Sequence, residues 1–135
     1  MPRLFFQILS FVYISAIFIL GRSSAIQDLS PFNPYSLLHV PLYGILTVLL
    51  VFAFVLKNQG SRHPAIRFLI VGSVGLGVAA ADEIHQVSLP GRTGSMADVF
   101  LDMAGIALAL FLMFRFLKTN PSNPTNSINP NDPNG

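Results

Sequence analysis

The sequence predicts an all-α fold: a bundle of four transmembrane helices with both termini cytoplasmic. Three observations point there. The chain contains four apolar stretches of near membrane-spanning length, it carries few charges, and its polar residues sit at the ends of those stretches. Of 135 residues, 52% are hydrophobic and 10% are charged. A water-soluble domain carries about a quarter charged residues, so this chain lacks the polar surface to be stable in water. Its length is that of one domain.

The first apolar stretch runs from Leu4 to Leu20, the second from Leu37 to Leu56, the third from Ala65 to Ala81 and the fourth from Met96 to Leu117. Each approaches the roughly 20 residues that a helix needs to cross the hydrocarbon core. Helix is the required conformation, because isolated strands in lipid leave their backbone groups unpaired. A soluble bundle would need a polar stripe along each helix, and none is present. The first stretch, flanked by Arg3 and followed by Ser23-Ser24-Ala25, also has features of a cleavable signal. Its apolar run exceeds the roughly 7 to 15 residues of such a signal, so it reads as a retained first helix.

Orientation follows from Lys and Arg in the short connections. Arg3, Lys57, Arg62, Arg67, Arg115 and Lys118 fall on one side, and only Arg22 and Arg92 on the other. The six-residue side is the cytoplasmic one. Residues 119–135 contain six Asn and four Pro with almost nothing apolar, a composition that predicts a disordered cytoplasmic tail after a membrane domain spanning 1–118. The chain has no cysteine, which excludes disulfides and thiolate chemistry. Its basic residues are scattered singly at helix ends, which is no footprint for nucleic acid.

On this topology five of the six acids, Asp28, Asp82, Glu83, Asp98 and Asp102, lie on the outer side together with His39 and His85. The positive-inside rule governs Lys and Arg and does not account for that clustering. Asp82 and Glu83 are expected to end the third helix, and His85 to lie at its outer end or in the loop that follows. His39 and Tyr43 are four apart, as are Asp82 and Gln86, and Asp98 and Asp102; each pair shares a helix face. Carboxylates within membrane helices are costly and usually face a protein interior or a wet cavity. Three helices thus direct His39, Tyr43, Asp82, Glu83, Gln86, Asp98 and Asp102 toward one space. The alternatives are a purely structural hydrogen-bond network and, for Asp98 alone, a helix N-terminal acid favoured by the dipole.

Pro90-Gly91 suits the centre of a type II turn, and Ser95 with Asp98 fits a helix N-cap. The third and fourth helices are therefore expected to form a tight hairpin with Arg92 at its tip. Small residues at Ser73, Gly77 and Ala81, and at Gly105 and Ala109, are spaced for close helix packing.

The stretch Asp82-Glu83-Ile84-His85-Gln86, then Pro90-Gly91-Arg92, then Asp98 with Gly105, resembles the VanZ-like family, small bacterial membrane proteins named for an accessory factor of teicoplanin resistance. The family pattern is D-E-x-x-Q, P-G-R, then D-x-x-x-N-x-x-G, with an earlier D-K-x-x-H-x-x-x-Y. Asp102 stands where the family has Asn, adding an acid that repels Asp98 unless a proton or a cation neutralises one of them. His39 and Tyr43 match the earlier element, but Tyr35 and Ser36 replace its Asp-Lys pair. The resemblance implies a multi-pass protein of the bacterial inner membrane and supplies no reaction. Two functions follow as expectations. In the first, an envelope protein binds an outer-leaflet or wall-related ligand, a lipid-linked wall precursor or a glycopeptide-like molecule, and affects glycopeptide susceptibility. Arg92 meets its phosphate or carboxylate, while Asp82, Gln86, Asp98, Asp102 and Tyr43 hydrogen-bond the rest. The alternative is a membrane-embedded hydrolase or transferase. There Glu83 acts as general base, His39 as a second acid/base and Gln86 with Arg92 as stabilisers of negative charge. It can include a divalent cation on Asp82, Glu83, His39 and Asp102, although no motif such as H-E-x-x-H is present. A transporter ranks third, because the cytoplasmic half of the bundle is nearly free of polar residues.

Overall fold

The computed structural model describes residues 3–21, 36–55, 64–90 and 96–119. Within them the chain forms four helices and no strand: α1 (Arg3–Gly21), α2 (His39–Phe54), α3 (Pro64–Val87) and α4 (Met96–Thr119), with a short 3-10 turn, Ser36–Leu38, leading into α2. The helices α1, α3 and α4 are long and apolar enough to cross a membrane, while α2 is apolar but shorter, at 16 residues. The side chains face outward as they do in a lipid-soluble protein. Phe11 is 73% exposed, Leu69 70% and Phe100 64%, and large apolar groups stand on every helix surface, where a water-soluble monomer would aggregate.

Inside the bundle, Leu46, Leu50 and Val51 of α2 pack with Val71, Ala79, Ile106 and Ile17 from the other three helices. Aromatic pairs fix the helix directions. Phe6 of α1 stacks on Phe52 of α2 at 5.0 Å, and Phe68 of α3 meets Phe114 of α4 edge-on at 5.7 Å. The Arg3 guanidinium lies over the Phe54 ring, 5.7 Å from its centroid. Neighbours in sequence therefore run antiparallel, and α2 lies parallel to α4. Hydroxyls in these apolar helices turn back on their own backbone: Ser10 donates to Phe6 O and Thr47 to Tyr43 O, each at 2.8 Å. This local bond satisfies the hydroxyl without a partner helix.

Three expectations are corrected. The third helix does not end at Asp82 and Glu83; α3 continues to Val87. The apolar run stops at Ala81, but hydrogen bonds to α2 and along α3 support the acids inside the helix. His85 is consequently a residue of the last helical turn and no loop residue. The stripe Ser73, Gly77, Ala81 faces outward, and a side chain added at Gly77 would meet nothing within 4 Å. The bundle instead uses the neighbouring stripe Gly72, Gly75 and Ala79, all buried. Gly105 and Ala109 are buried as their spacing predicts. A Cβ at Gly105 would overlap the Val40 carbonyl oxygen, so α2 and α4 come closest there.

Candidate functional site

The polar residues of three helices meet at one end of the bundle, where α2 and α4 begin and α3 ends. His39 opens α2, and one turn later Tyr43 follows on the same face, its ring nearly parallel to the imidazole at 6.3 Å. The His39 Nδ1–H donates to Asp102 Oδ1 at 2.8 Å. Asp102 is 1% exposed. The close approach at Gly105, one turn along α4, brings this acid to α2. In the neutral ring, the bond leaves Nε2 as an acceptor. The repulsion expected between Asp98 and Asp102 is thus offset from α2, by a donor placed on Asp102.

A second group lies beside the first. Tyr43 is fully buried, and its hydroxyl donates to Asp82 Oδ2 at 3.3 Å. Gln86, one turn along α3, donates through Nε2 to the same oxygen at 2.9 Å. Asp82 is 3% exposed, yet its Oδ1 has no partner. Asp98 Oδ1 and His85 Nε2 are likewise buried without a hydrogen bond. Asp82 and Asp98 both lie within electrostatic reach of His39, and Asp82 and Glu83 within that of Tyr43. Buried polar atoms are paired in more than about nine cases in ten, so three orphans at one end of a small bundle mark a place where hydrogen-bond partners are missing.

The structure therefore brings together His39, Tyr43, Asp82, Gln86 and Asp102 by direct bonds, with Asp98 close by. Glu83 is half-buried on α3, turned one residue away from Asp82. Arg92, Gly91 and Ser95 of the hairpin lie outside the described residues, as do Asp28, Arg22, Tyr35, Lys57, Arg62, His63 and residues 120–135 of the tail. Of the hairpin, the turn out of α3 is described: Ser88 Oγ donates to His85 O at 2.6 Å and Leu89 N to Gln86 O at 3.1 Å. These bonds cap the carbonyls that a helix end leaves open.

Two contributions from α1 escape sequence reasoning. Phe18 packs against the His85 ring at 5.6 Å, and Tyr13 donates to the Leu42 carbonyl at 3.1 Å. Neither residue stands in a spaced polar pair, and nothing in the sequence sets the rotation of α1 against its neighbours. A cation site on Asp82, Glu83, His39 and Asp102 has no geometric support. Among the described residues no group of three or more His, Asp or Glu is arranged to hold a metal ion. The nearest acids spend oxygens on separate protein donors.

The Tyr43 hydroxyl is testable by itself. In Tyr43→Phe, Asp82 keeps Gln86 and loses one interhelical donor. The expected cost is about 0.5–1 kcal/mol, the usual range for such bonds in membrane bundles, read as a lower unfolding temperature in detergent. Unchanged stability would mean that the bond is not formed.

No curated protein and no solved structure matches the chain. The VanZ/LLP1 family model matches residues 5–118, which include α2, α3, nearly all of α1 and α4, and every polar residue of the cluster. The chain belongs to the VanZ/LLP1 family.

Proposed function

We propose that this protein spans the bacterial inner membrane four times, with both termini in the cytoplasm. In this reading its polar end binds an outer-leaflet or wall-related ligand, and that binding alters glycopeptide susceptibility. The observation that carries the reading is the set of orphaned atoms, Asp82 Oδ1, Asp98 Oδ1 and His85 Nε2, beside the bonded groups His39–Asp102 and Tyr43–Asp82–Gln86. Two unpartnered carboxylate oxygens ask for hydrogen-bond donors, which the hydroxyl and amide groups of wall precursors and glycopeptides supply. Arg92 adds a cation for a phosphate or carboxylate on the same ligand. Orientation rests on the six-to-two distribution of Lys and Arg. The short α2 also has sufficient reach. At the α and 3-10 rises, its 16 residues and the three of the preceding turn give about 30 Å, the thickness of the hydrocarbon core.

The test is deletion of the gene and complementation with the wild type, Asp82→Asn, Arg92→Ala or Glu83→Ala. The expected result is a shift in teicoplanin susceptibility that the wild type restores and Asp82→Asn and Arg92→Ala do not. Full rescue by both variants would refute a role for this end of the bundle.

The bonded pair His39–Asp102 favours a second reading, a hydrolase or transferase of membrane substrates. A carboxylate holding Nδ1 is how a general base is oriented with Nε2 free to take a proton. Glu83 is then a second base, and loss of rescue in Glu83→Gln is the result that favours this reading over binding alone.

A further inference from the structure

Between α2 and α4, on the outer surface of the bundle, lies a groove of about 560 Å³ that no polar side chain lines. That volume falls within the roughly 300–1,000 Å³ of small-molecule sites. Its floor is made by small residues. Gly44 and Gly105 face each other, so that a Cβ on Gly44 would rest 3.7 Å from the Gly105 oxygen. Ala109 continues the floor toward the other end. Its mouth is open: Ile45 on one wall is 50% exposed, and Leu108 and Leu112 on the other 53% and 56%.

The position of the groove identifies what it takes. One end is formed by Val40 and Gly105. Val40 directly follows His39, and Gly105 lies one turn beyond Asp102, so the bonded pair His39–Asp102 stands at the head of the groove. From Val40 to Leu49 the groove follows α2 for about 13 Å at the helical rise. That is close to the roughly 15 Å of hydrocarbon in one leaflet, half of the core. An apolar channel one leaflet deep, with the polar pair His39–Asp102 at its head, has the shape and polarity of a single lipid molecule.

We infer that the α2–α4 groove holds one hydrocarbon chain of a lipid whose hydroxyl-rich, sugar-bearing head occupies the His39–Asp102 end. The inference rests on the ligand-binding reading above and narrows it to a membrane-anchored glycolipid. The head supplies hydroxyl donors to the partly exposed His39, whose Nδ1 is held by Asp102 and whose Nε2 is left as an acceptor. The chain replaces loosely packed bilayer lipid along Gly44, Gly105 and Ala109.

The experiment uses the full chain in phosphatidylcholine vesicles doped with one of three photoactivatable probes. These are a monoglucosyl diacylglycerol, a phosphatidylethanolamine and a phosphatidylcholine, each with a diazirine midway along one acyl chain. After photolysis, labelled peptides are mapped by mass spectrometry. The expected result is labelling around Leu49 and Leu112 by the glucosyl probe, about tenfold above the phosphatidylcholine probe, the ratio that one or two net hydrogen bonds provide. Leu108→Trp, which plugs the mouth from α4, should remove this labelling, and Ile45→Trp should do the same from α2. Both sites are half-exposed, so the larger ring does not disturb the core. Leu69→Trp, on the lipid-facing side of α3, should leave the labelling unchanged. Equal labelling by the glucosyl and phosphatidylcholine probes would make the groove ordinary bilayer contact and overturn the inference. A preference for phosphatidylethanolamine would overturn it too, by assigning the head to an ammonium. Complementation separates this failure from failure of the wider reading. If Asp82→Asn abolishes the susceptibility phenotype and neither tryptophan variant does, the polar end binds a ligand without using the groove. If none of them matters, the ligand-binding reading falls as well.

Discussion

Gly105→Ala is expected to destabilise this protein by about 2–3 kcal/mol, against the direction of helix propensity. In an exposed helix the same change stabilises by roughly 0.5–1 kcal/mol, because glycine loses more backbone freedom on folding than alanine does. Here the new methyl would overlap the Val40 carbonyl oxygen and come within 3.0 Å of its carbon. These are backbone atoms and cannot rotate away, so α2 and α4 must separate. The separation falls next to the His39–Asp102 bond, so the variant should also lose whatever that pair does. Gly77→Ala is the matched control. It lies on a membrane helix of similar composition, and its Cβ would meet nothing within 4 Å, so it should be neutral or slightly stabilising. Thermal unfolding in detergent, followed by helical circular dichroism, measures both. A Gly105→Ala protein as stable as the wild type would show that the helices do not approach this closely.

The second large effect belongs to Asp102. Asp102→Ala removes a carboxylate that is 1% exposed and strands the His39 Nδ1–H, with which it is bonded at 2.8 Å. Removing one partner of a buried pair leaves the other desolvated and unmatched. The expected loss is about 2–3 kcal/mol, below the value for a fully buried ion pair because His39 remains partly exposed. Asp102→Asn should cost less than about 1 kcal/mol, since the amide oxygen still accepts from the ring. Asn is also the residue that the family pattern places here. A double-mutant cycle with His39→Ala isolates the pair. A coupling energy near zero would show that the two side chains act independently, and equal losses in Asp102→Asn and Asp102→Ala would show that the charge, not the hydrogen bond, is what matters.

Much of this architecture was open to reading from residue order. The lengths of the apolar runs predict four helices, with every end but the last of α3 within a few residues of the observed one, because a helix in lipid must be apolar over its whole length. The i to i+4 pairs His39/Tyr43, Asp82/Gln86 and Asp98/Asp102 share faces because helical periodicity alone requires it. The end of α3 was not legible in the same way. Hydropathy stops at Ala81, while the helix continues to Val87 and so sets Gln86 one turn from Asp82, which Tyr43 also reaches from another helix. The packing stripe of α3 is not legible in the sequence for a related reason. Ser73/Gly77/Ala81 and Gly72/Gly75/Ala79 differ by one or two residues, about 100° to 200° of rotation, and spacing cannot say which stripe faces inward.

Residue order thus specifies that the chain is helical, that its helices suit a membrane, and which polar groups share a face, since these follow from local periodicity and transfer to lipid. Packing specifies which of those groups bond. Asp102 meets His39 because Gly105 lets α4 approach Val40, and Asp82 is shared by Tyr43 and Gln86 because α3 stays helical past its apolar run. The same close approach leaves an apolar groove beneath the polar end. Rotation of each helix about its axis couples these features, and it is set by contacts between residues about forty to sixty positions apart.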